Sequence, residues 1–209
     1  MLDLKDKMVL ITGAAGGTGR QLAQELASRG AIIAAVDINP LGLDETVALI
    51  RLAGGRVKDY LFDTAKRLPV VALVDEVLDE WGRIDILINA AEVHPIYPLL
   101  TMDEWDFHRT LDVNLAGPFF LMQRVAQAMI KQGGTFASSG PLVSSVGFIV
   151  NVCDGETGMD EPAGLPQEGA AYAASKAGLA ALTLVAAQEL KAYNIQVVGI
   201  ADFRLLISD

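Results

Sequence analysis

Short apolar stretches alternate with longer stretches of helical periodicity along most of this chain. Six apolar stretches have the length of a strand, at residues 8–11, 31–36, 57–62, 84–88, 148–153 and 195–200. Apolar positions recur at helical spacing in residues 21–28, 43–52, 69–80, 102–131 and 171–190. Strands that are apolar almost throughout are buried on both faces, as in a parallel sheet covered by helices. The alternation therefore predicts an α/β fold, a three-layer, doubly wound parallel sheet of about six strands in one domain over residues 1–209.

Three segments break this rhythm. The long helical region 102–131 contains Gly117 followed by Pro118, which predicts an interruption of the helix there. Residues 133–147 are rich in Gly and Ser, and residues 154–169 are rich in Gly, Pro and acidic side chains. Both segments are therefore expected to form surface loops.

Composition narrows the choice of partners and compartment. The formal net charge of −10 would repel phosphate backbones and anionic lipid, so neither nucleic acid nor a membrane is an expected partner. One cysteine cannot form an internal disulfide, and two histidines without clustered cysteines offer no zinc site. The first eight residues carry four charges, unlike a signal peptide, and no apolar run reaches the roughly 18 residues of a membrane span. We therefore expect a cytoplasmic protein without a metal site.

A glycine-rich segment lies between the first predicted strand and the first predicted helix. It reads Thr-Gly-Ala-Ala-Gly-Gly-Thr-Gly over residues 12–19. Glycines in this context allow a tight turn and a close approach of the backbone to a pyrophosphate, while the helix N-terminus directs its N–H groups at the anion. We therefore expect Gly13, Gly17, Thr18 and Gly19 to bind a dinucleotide, as in a Rossmann-type domain. The alternative is that the glycines only close a turn between a strand and a helix.

An acidic residue, Asp37, follows the second predicted strand, about 20 residues beyond the glycines. A carboxylate at this point can accept hydrogen bonds from both hydroxyls of an adenosine ribose, and it would repel a 2′-phosphate. No Arg or Lys lies in the turn or in the two positions after Asp37, so the sequence favours NAD over NADP. The alternative is that Asp37 is a solvated cap of the next segment.

Several motifs together resemble the short-chain dehydrogenase/reductase family, in its single-domain form, over almost the whole chain. Residues 12–19 resemble the TGxxxGxG turn of that family, and residues 85–91, which include Asn89, resemble its DxLxNNAG segment. Asn114 matches an asparagine on a helix of the family, and Asp63 resembles the acid that contacts adenine. The resemblance implies that Asp63 and Asn89 belong to the cofactor site.

Tyr172 and Lys176 match the YxxxK motif of the same family. Residues four apart share a face of a helix, so the phenol and the ammonium can point at one bound cofactor. The alternative is an exposed pair on a solvated helix. None of the other three tyrosines is followed four positions later by Lys.

The resemblance implies an oxidoreductase that transfers a hydride between NAD and an alcohol or carbonyl substrate. Tyr172 would exchange a proton with the substrate oxygen. The Lys176 ammonium and the positive nicotinamide would lower its pKa from the value of about 10 that a free phenol has. Lys176 would also bind the nicotinamide ribose, and Asn114 would hold a water that passes protons to solvent.

The sequence departs from the family pattern at two site positions. The position of the catalytic serine is Asp154, and an ionised carboxylate, unlike a serine or a protonated aspartate, cannot donate a hydrogen bond. Thr157 would supply a hydroxyl only if its loop folds back. Glu92 replaces the last glycine of NNAG, so it either turns to solvent or crowds the site. His94, two residues further on, is interpreted as a solvated loop residue rather than as an acid-base group.

The C-terminal part and the assembly are also compared with the family. Nine residues, 201–209, follow the sixth predicted strand, so we expect the family's seventh strand and part of its substrate pocket to be missing. Three hypotheses follow: an oxidoreductase for a small alcohol or carbonyl, a non-catalytic dinucleotide-binding or structural protein, and a protein with this fold that binds no nucleotide. The helices over 102–131 and 171–190 resemble those that pair family members, which predicts a homodimer or higher homo-oligomer.

Overall fold

The computed structural model describes residues 4–133, 147–153 and 169–200. Its strands are β1 (Met8–Thr12), β2 (Ile32–Asp37), β3 (Arg56–Leu61), β4 (Ile86–Asn89), β5 (Gly147–Val152) and β6 (Ile195–Ile200). Its α-helices are α1 (Gly17–Ser28), α2 (Pro40–Leu52), α3 (Arg67–Trp81), α4 (Glu104–Leu111), α5 (Gly117–Gln132) and α6 (Ala170–Leu190). A π-helical segment, Asp112–Ala116, joins α4 to α5, and a 3₁₀ turn, Lys191–Tyr193, follows α6. Every predicted strand and helix is present.

The six strands form one parallel sheet in the order β3-β2-β1-β4-β5-β6. Leu10 of β1 pairs with Ala34 of β2 on one side and with Leu87 of β4 on the other. Starting from β1, the chain adds β2 and β3 on one side, and then β4, β5 and β6 on the other side. The strand order therefore reverses between β1 and β4, and ligands of doubly wound sheets bind at the carboxyl ends of the strands at such a point. The predicted Rossmann-type fold is confirmed.

Both faces of the sheet are covered because successive side chains of a strand point to opposite sides. Leu10 belongs to the core layer that α3, α5 and α6 cover, whereas the next residue, Ile11, belongs to the layer that α1 and α2 cover. Both side chains are fully buried. This explains why β1 consists of apolar residues followed by a buried threonine.

The predicted interruption of the long helix is a π-helical segment rather than a break. The segment ends at Ala116, and Gly117 and Pro118 begin α5, where a proline is tolerated because the first turn lacks intrahelical N–H partners. A Cβ on Gly117 would lie 2.8 Å from the carbonyl oxygen of Thr64. The glycine therefore allows the start of α5 to pack closely against the loop after β3.

The last helix, α6, is long and largely apolar. Residues Ala170–Tyr193 are long and apolar enough to cross a membrane by length and composition, with a mean hydropathy of 1.4 in the best window. The segment is not an uninterrupted apolar run, since it contains Ser175, Lys176 and Thr183. The core helices of soluble proteins also pass this test, and α6 packs against β6 and buries its own Lys176.

Candidate active site

The glycine-rich turn joins β1 to α1, and its backbone is closely packed at Gly13 and Gly19. Gly13 has φ of +71°, and a Cβ there would lie 2.7 Å from the carbonyl oxygen of Ala90. A Cβ on Gly19 would overlap the carbonyl oxygen of Gly13 and lie 2.6 Å from its carbonyl carbon. Gly17 faces open space but has φ of +49°. Conformation or close packing therefore explains all three glycines, and the turn they form is tight.

The N-terminus of α1 is suited to an anion. Its N-cap, Gly16, has no side chain to bond the first N–H groups, and the first turn contains no acidic residue. Gly17, Thr18 and Gly19 form this first turn. No carboxylate in the first turn of α1 therefore offsets the positive end of the helix dipole. The free N–H groups of this turn can bind a phosphate.

Asp37 is held beside this turn, at the carboxyl end of β2. One carboxylate oxygen accepts a hydrogen bond from the Ala15 amide at 3.0 Å, and the other accepts from Ile38 at 2.8 Å and Asn39 at 3.0 Å. The side chain is therefore fixed by backbone groups that belong to the turn and to the start of α2. A carboxylate in this place can also accept hydrogen bonds from hydroxyls of a ligand.

Arg20 is the cation next to the turn, and its guanidinium is bonded between α1 and α2. It donates to Thr46 Oγ1 at 2.9 Å, to the Gly42 carbonyl at 3.2 Å and to Glu45 at 2.9 Å. It also donates to the carbonyl of Ala15. These contacts engage the guanidinium within the protein.

The ends of β1 and β4 are joined by Thr12. Its Oγ1 accepts hydrogen bonds from the amides of Ala90 and Ala91, both at 3.1 Å. Asn89, which ends β4, donates to Asn151 Oδ1 of β5 at 2.8 Å. Asn89 Oδ1 is buried without a partner among the described atoms. Thr12 belongs to the turn motif in the sequence, but that motif does not indicate that Thr12 also holds the loop after β4.

Asn114 lies in the π-helical segment and fixes the same loop. Its Oδ1 accepts from the amide of Val93 at 2.9 Å, and its Nδ2 donates to the carbonyl of Val93 at 2.9 Å. Nδ2 is also 3.1 Å from the hydroxyl of Ser175 on α6. Asn114 therefore connects the loop after β4 to the helix that carries Tyr172, and π-helical segments are frequent at functional sites.

Tyr172 and Lys176 lie together on the buried face of α6. Only 4% of Tyr172 and 2% of Lys176 is exposed, so the alternative of a solvated surface pair is wrong. Lys176 Nζ donates to the carbonyl of Val152, at the end of β5, at 3.0 Å, and lies 5.4 Å from the centre of the Tyr172 ring. The structure thus places a phenol and an ammonium at the carboxyl edge of the sheet.

Glu92 contacts both of these groups. Its Oε2 accepts a hydrogen bond from the Tyr172 hydroxyl at 3.1 Å and lies 2.6 Å from Lys176 Nζ. The ring of His94 stacks on the ring of Tyr172, with centres 3.7 Å apart and planes 15° apart. The side chain of Glu92 therefore turns into the site, and His94 is exposed, as expected, while its ring stacks on Tyr172. No spacing in the sequence could reveal contacts between residues 80 positions apart.

The decisive comparison is with families of known proteins. The model of the family described as short chain dehydrogenase matches residues 7–202. The chain belongs to this family. The matched residues include the glycine-rich turn, Asn114, Tyr172 and Lys176, so the site described above lies within the region that matches the short-chain dehydrogenase family.

Relatives and solved structures agree with this assignment. The D-threitol dehydrogenase of Mycolicibacterium smegmatis is 35% identical over 196 residues, which cover 93% of this chain and 68% of that protein. The crystal structure of a NAD⁺-bound xylitol dehydrogenase has a TM-score of 0.82 and 33% identity, and the match covers 96% of this chain and 71% of that one. A metagenomic short-chain oxidoreductase in complex with NADP also has a TM-score of 0.82, with 30% identity and coverage of 95% and 82%.

Other predicted residues of this short-chain dehydrogenase lie at the edge of the site or outside the described ranges. Asp63 follows β3, accepts from the amide of Ala65 at 3.0 Å and lies 3.5 Å from Arg109, with its side chain 40% exposed. Asp154 and Thr157 lie outside the described residues. Across residues 4–133, 147–153 and 169–200, no group of three or more His, Cys, Asp or Glu side chains could hold a metal ion.

The lone cysteine of this short-chain dehydrogenase borders α6, which carries Tyr172 and Lys176. Cys153 follows β5, and its sulfur lies 3.9 Å from Thr183 Oγ1 on α6. Burial raises the pKa of the Cys153 thiol, while the hydrogen bond with Thr183 and the charge of Lys176 partly offset that effect. The thiol is therefore held in its neutral form at neutral pH.

Proposed function

We propose that this protein is an oxidoreductase that transfers a hydride between NAD(H) and a small alcohol or carbonyl substrate. The observation that carries the proposal is the buried Tyr172–Lys176 pair at the edge of the sheet where the glycine-rich turn also lies. A phenol beside an ammonium releases its proton more readily than a free phenol, because the positive charge stabilises the phenolate. Bound nicotinamide would supply or accept the hydride.

The residues present fit a dinucleotide. The close-packed turn and the uncompensated N-terminus of α1 form a cradle for a pyrophosphate, and Asp37 offers carboxylate oxygens beside it. The orphaned oxygen of Asn89 gives the site a further acceptor. We propose that the cofactor is bound by Gly13, Gly17, Thr18, Gly19, Asp37, Asp63, Asn89, Tyr172 and Lys176.

We propose NAD rather than NADP as the cofactor. The Asp37 carboxylate would repel a 2′-phosphate, and Arg20, the nearest cation in the sequence, is bonded to Thr46, Gly42 and Glu45 instead. The solved relatives include a NAD⁺ complex and a NADP complex, so the choice depends on these residues of the chain itself.

Tyr172, Lys176 and Asn114 are the proposed catalytic residues. In alcohol oxidation, the phenolate of Tyr172 would take the hydroxyl proton while the hydride leaves the carbon. In carbonyl reduction, the phenol would give its proton to the oxygen while the hydride adds to the carbon. Lys176 would stabilise the phenolate, and Asn114 would hold the loop after β4 against α6.

Two measurements test this proposal. Calorimetric titration should show tight binding of NADH and weak binding of NADPH. A screen of small alcohols and carbonyls should then find turnover that Tyr172→Phe abolishes while NADH affinity stays nearly unchanged, since the phenol contributes a proton rather than most of the binding energy. Tyr193→Phe, at an exposed position beyond α6, is the matched control and should retain full turnover.

The outcomes separate the competing hypotheses. Equal turnover by the Tyr172→Phe variant would refute the assigned chemistry. Binding of NADH without any Tyr172-dependent turnover would favour the non-catalytic dinucleotide-binding protein. Absence of binding to either cofactor would favour a protein that keeps the fold alone.

We also propose a single domain that forms a homodimer in the cytoplasm. A groove between α5 and α6 is lined by apolar side chains, among them Phe119, Ile130 and Val185. Phe119 is 42% exposed and Val185 is 53% exposed in the isolated chain. Pairing of two such faces around a two-fold axis would bury them.

A further inference from the structure

The loop after β4 is held so that Glu92 enters the site. Thr12 binds the amides of Ala90 and Ala91, immediately before Glu92, and Asn114 binds both backbone groups of Val93, immediately after it. The backbone is thus fixed on both sides of this residue. The position of its carboxylate next to α6 is a built feature of the fold.

One oxygen of this carboxylate joins the two groups of the proposed proton-transfer pair. Glu92 Oε2 lies 2.6 Å from Lys176 Nζ and accepts a hydrogen bond from the Tyr172 hydroxyl at 3.1 Å. The hydrogen bond exists only while the phenol carries its proton. The ion pair also neutralises the ammonium, which otherwise would stabilise the phenolate.

Other titratable groups of the described residues also lie near this pair. Lys176 faces Tyr172 from its own helix, His94 stacks on its ring from the loop after β4, and Cys153, at the end of β5, interacts with Lys176. Burial raises the pKa of the Cys153 thiol, which favours its uncharged form. Glu92 brings a negative charge into direct contact with the phenol.

We propose that Glu92 is a positioning residue that holds the proton on Tyr172 and so keeps the site in its proton-donating form. The proposal rests on the proposed function, in which Tyr172 exchanges a proton with substrate. In carbonyl reduction the O–H bond of the phenol breaks, its proton joins the substrate oxygen, and a hydride from NADH adds to the carbonyl carbon as NADH is oxidised to NAD⁺. Glu92 extends to higher pH the range in which this proton is available.

The test is an absorbance titration of tyrosinate in the cofactor-free protein. The signal of Tyr172 is the difference between a protein and the same protein carrying Tyr172→Phe, which removes the contribution of the other three tyrosines. In Glu92→Gln, the midpoint of Tyr172 should fall by about one pH unit, a tenfold change in proton affinity, because the amide carries no charge. Since the Glu92 side chain is 41% exposed, solvent screening limits the expected shift to this size rather than several units.

Two variants control this result. Glu104→Gln removes the same charge from a side chain that is 91% exposed at the start of α4, and it should leave the Tyr172 midpoint unchanged. Glu92→Asp retains the charge and should remain closer to the natural protein than Glu92→Gln does. An unchanged or raised midpoint in Glu92→Gln would overturn the proposal, as would an equal fall in Glu104→Gln.

Turnover provides a second, separate measurement. The pH at which NADH-dependent carbonyl reduction declines should fall in Glu92→Gln by the same amount as the Tyr172 midpoint. Tyr172-dependent turnover with an unshifted midpoint would refute the role of Glu92 and leave the proposed function intact. A shifted midpoint without any turnover would refute the proposed function and support the proton-holding contact alone.

Discussion

Replacing Gly19 with alanine tests whether the close packing of the glycine-rich turn is required. A Cβ at this position would overlap the carbonyl oxygen of Gly13, lie 2.6 Å from its carbonyl carbon and lie 3.1 Å from the amide nitrogen of Ala14. All three atoms belong to the backbone of the turn. They cannot rotate away as a flexible side chain would, so the turn itself must move.

The expected cost follows from two opposing effects. Overpacking of a close-packed site costs about 1–3 kcal/mol, and the better helix propensity of alanine offsets at most about 1 kcal/mol at this first-turn position. A net loss of about 1–2 kcal/mol corresponds to a fall in Tm of roughly 2–8 °C for a chain of this size. Displacement of the turn should also weaken NADH binding at least about tenfold, which is about 1.4 kcal/mol.

Thermal unfolding and calorimetric titration with NADH measure both effects. Gly16→Ala is the matched control, since a Cβ there meets nothing within 4 Å and its φ of −172° is open to any residue. The change at this N-cap should cost less than about 1 kcal/mol. A Gly19→Ala protein with the Tm and NADH affinity of the natural protein would refute the argument that close approach demands glycine here.

Two further predictions concern the core and the assembly. Thr183→Val removes the acceptor of a 2.8 Å hydrogen bond from buried Asn151. The free energy of unfolding, measured in urea, should therefore fall by about 1–3 kcal/mol. Thr101→Val, at an exposed threonine, is the control, and an equal loss in that variant would contradict the prediction. Phe119→Lys should convert the expected dimer to a monomer in gel filtration, whereas Phe107→Lys, at a similarly exposed phenylalanine of α4, should not; a natural protein that elutes as a monomer would argue against the pairing.

Local patterns in the sequence carried most of the fold. Most strands of the sheet are short, largely apolar runs and most helices have apolar positions at helical spacing, so the order of elements could be predicted without tertiary information. The turn at residues 12–19 could be interpreted for the same reason, because its glycines lie between a strand and a helix. The spacing of Tyr172 and Lys176 likewise predicts that the two share one face of a helix. Their assignment to cofactor binding and catalysis stays a prediction.

Contacts between distant segments decided the remaining features. The sequence indicated an interruption at Gly117-Pro118, but proline fits the first turn of α5, and the irregular part of the helix lies just before it. The burial of Tyr172 also depends on packing, since a helix pattern alone leaves its facing undetermined.

Glu92 shows most directly where prediction from the sequence ended. Its replacement of a family glycine was visible, and the sequence allowed the side chain to point either to solvent or into the site. The direction is set by Thr12 and Asn114, which hold the backbone on both sides of it, and by Lys176, whose buried ammonium attracts the carboxylate. Such contacts join residues that lie 21 to 84 positions apart, as the residue numbers show, and only the folded chain brings them within hydrogen-bond distance.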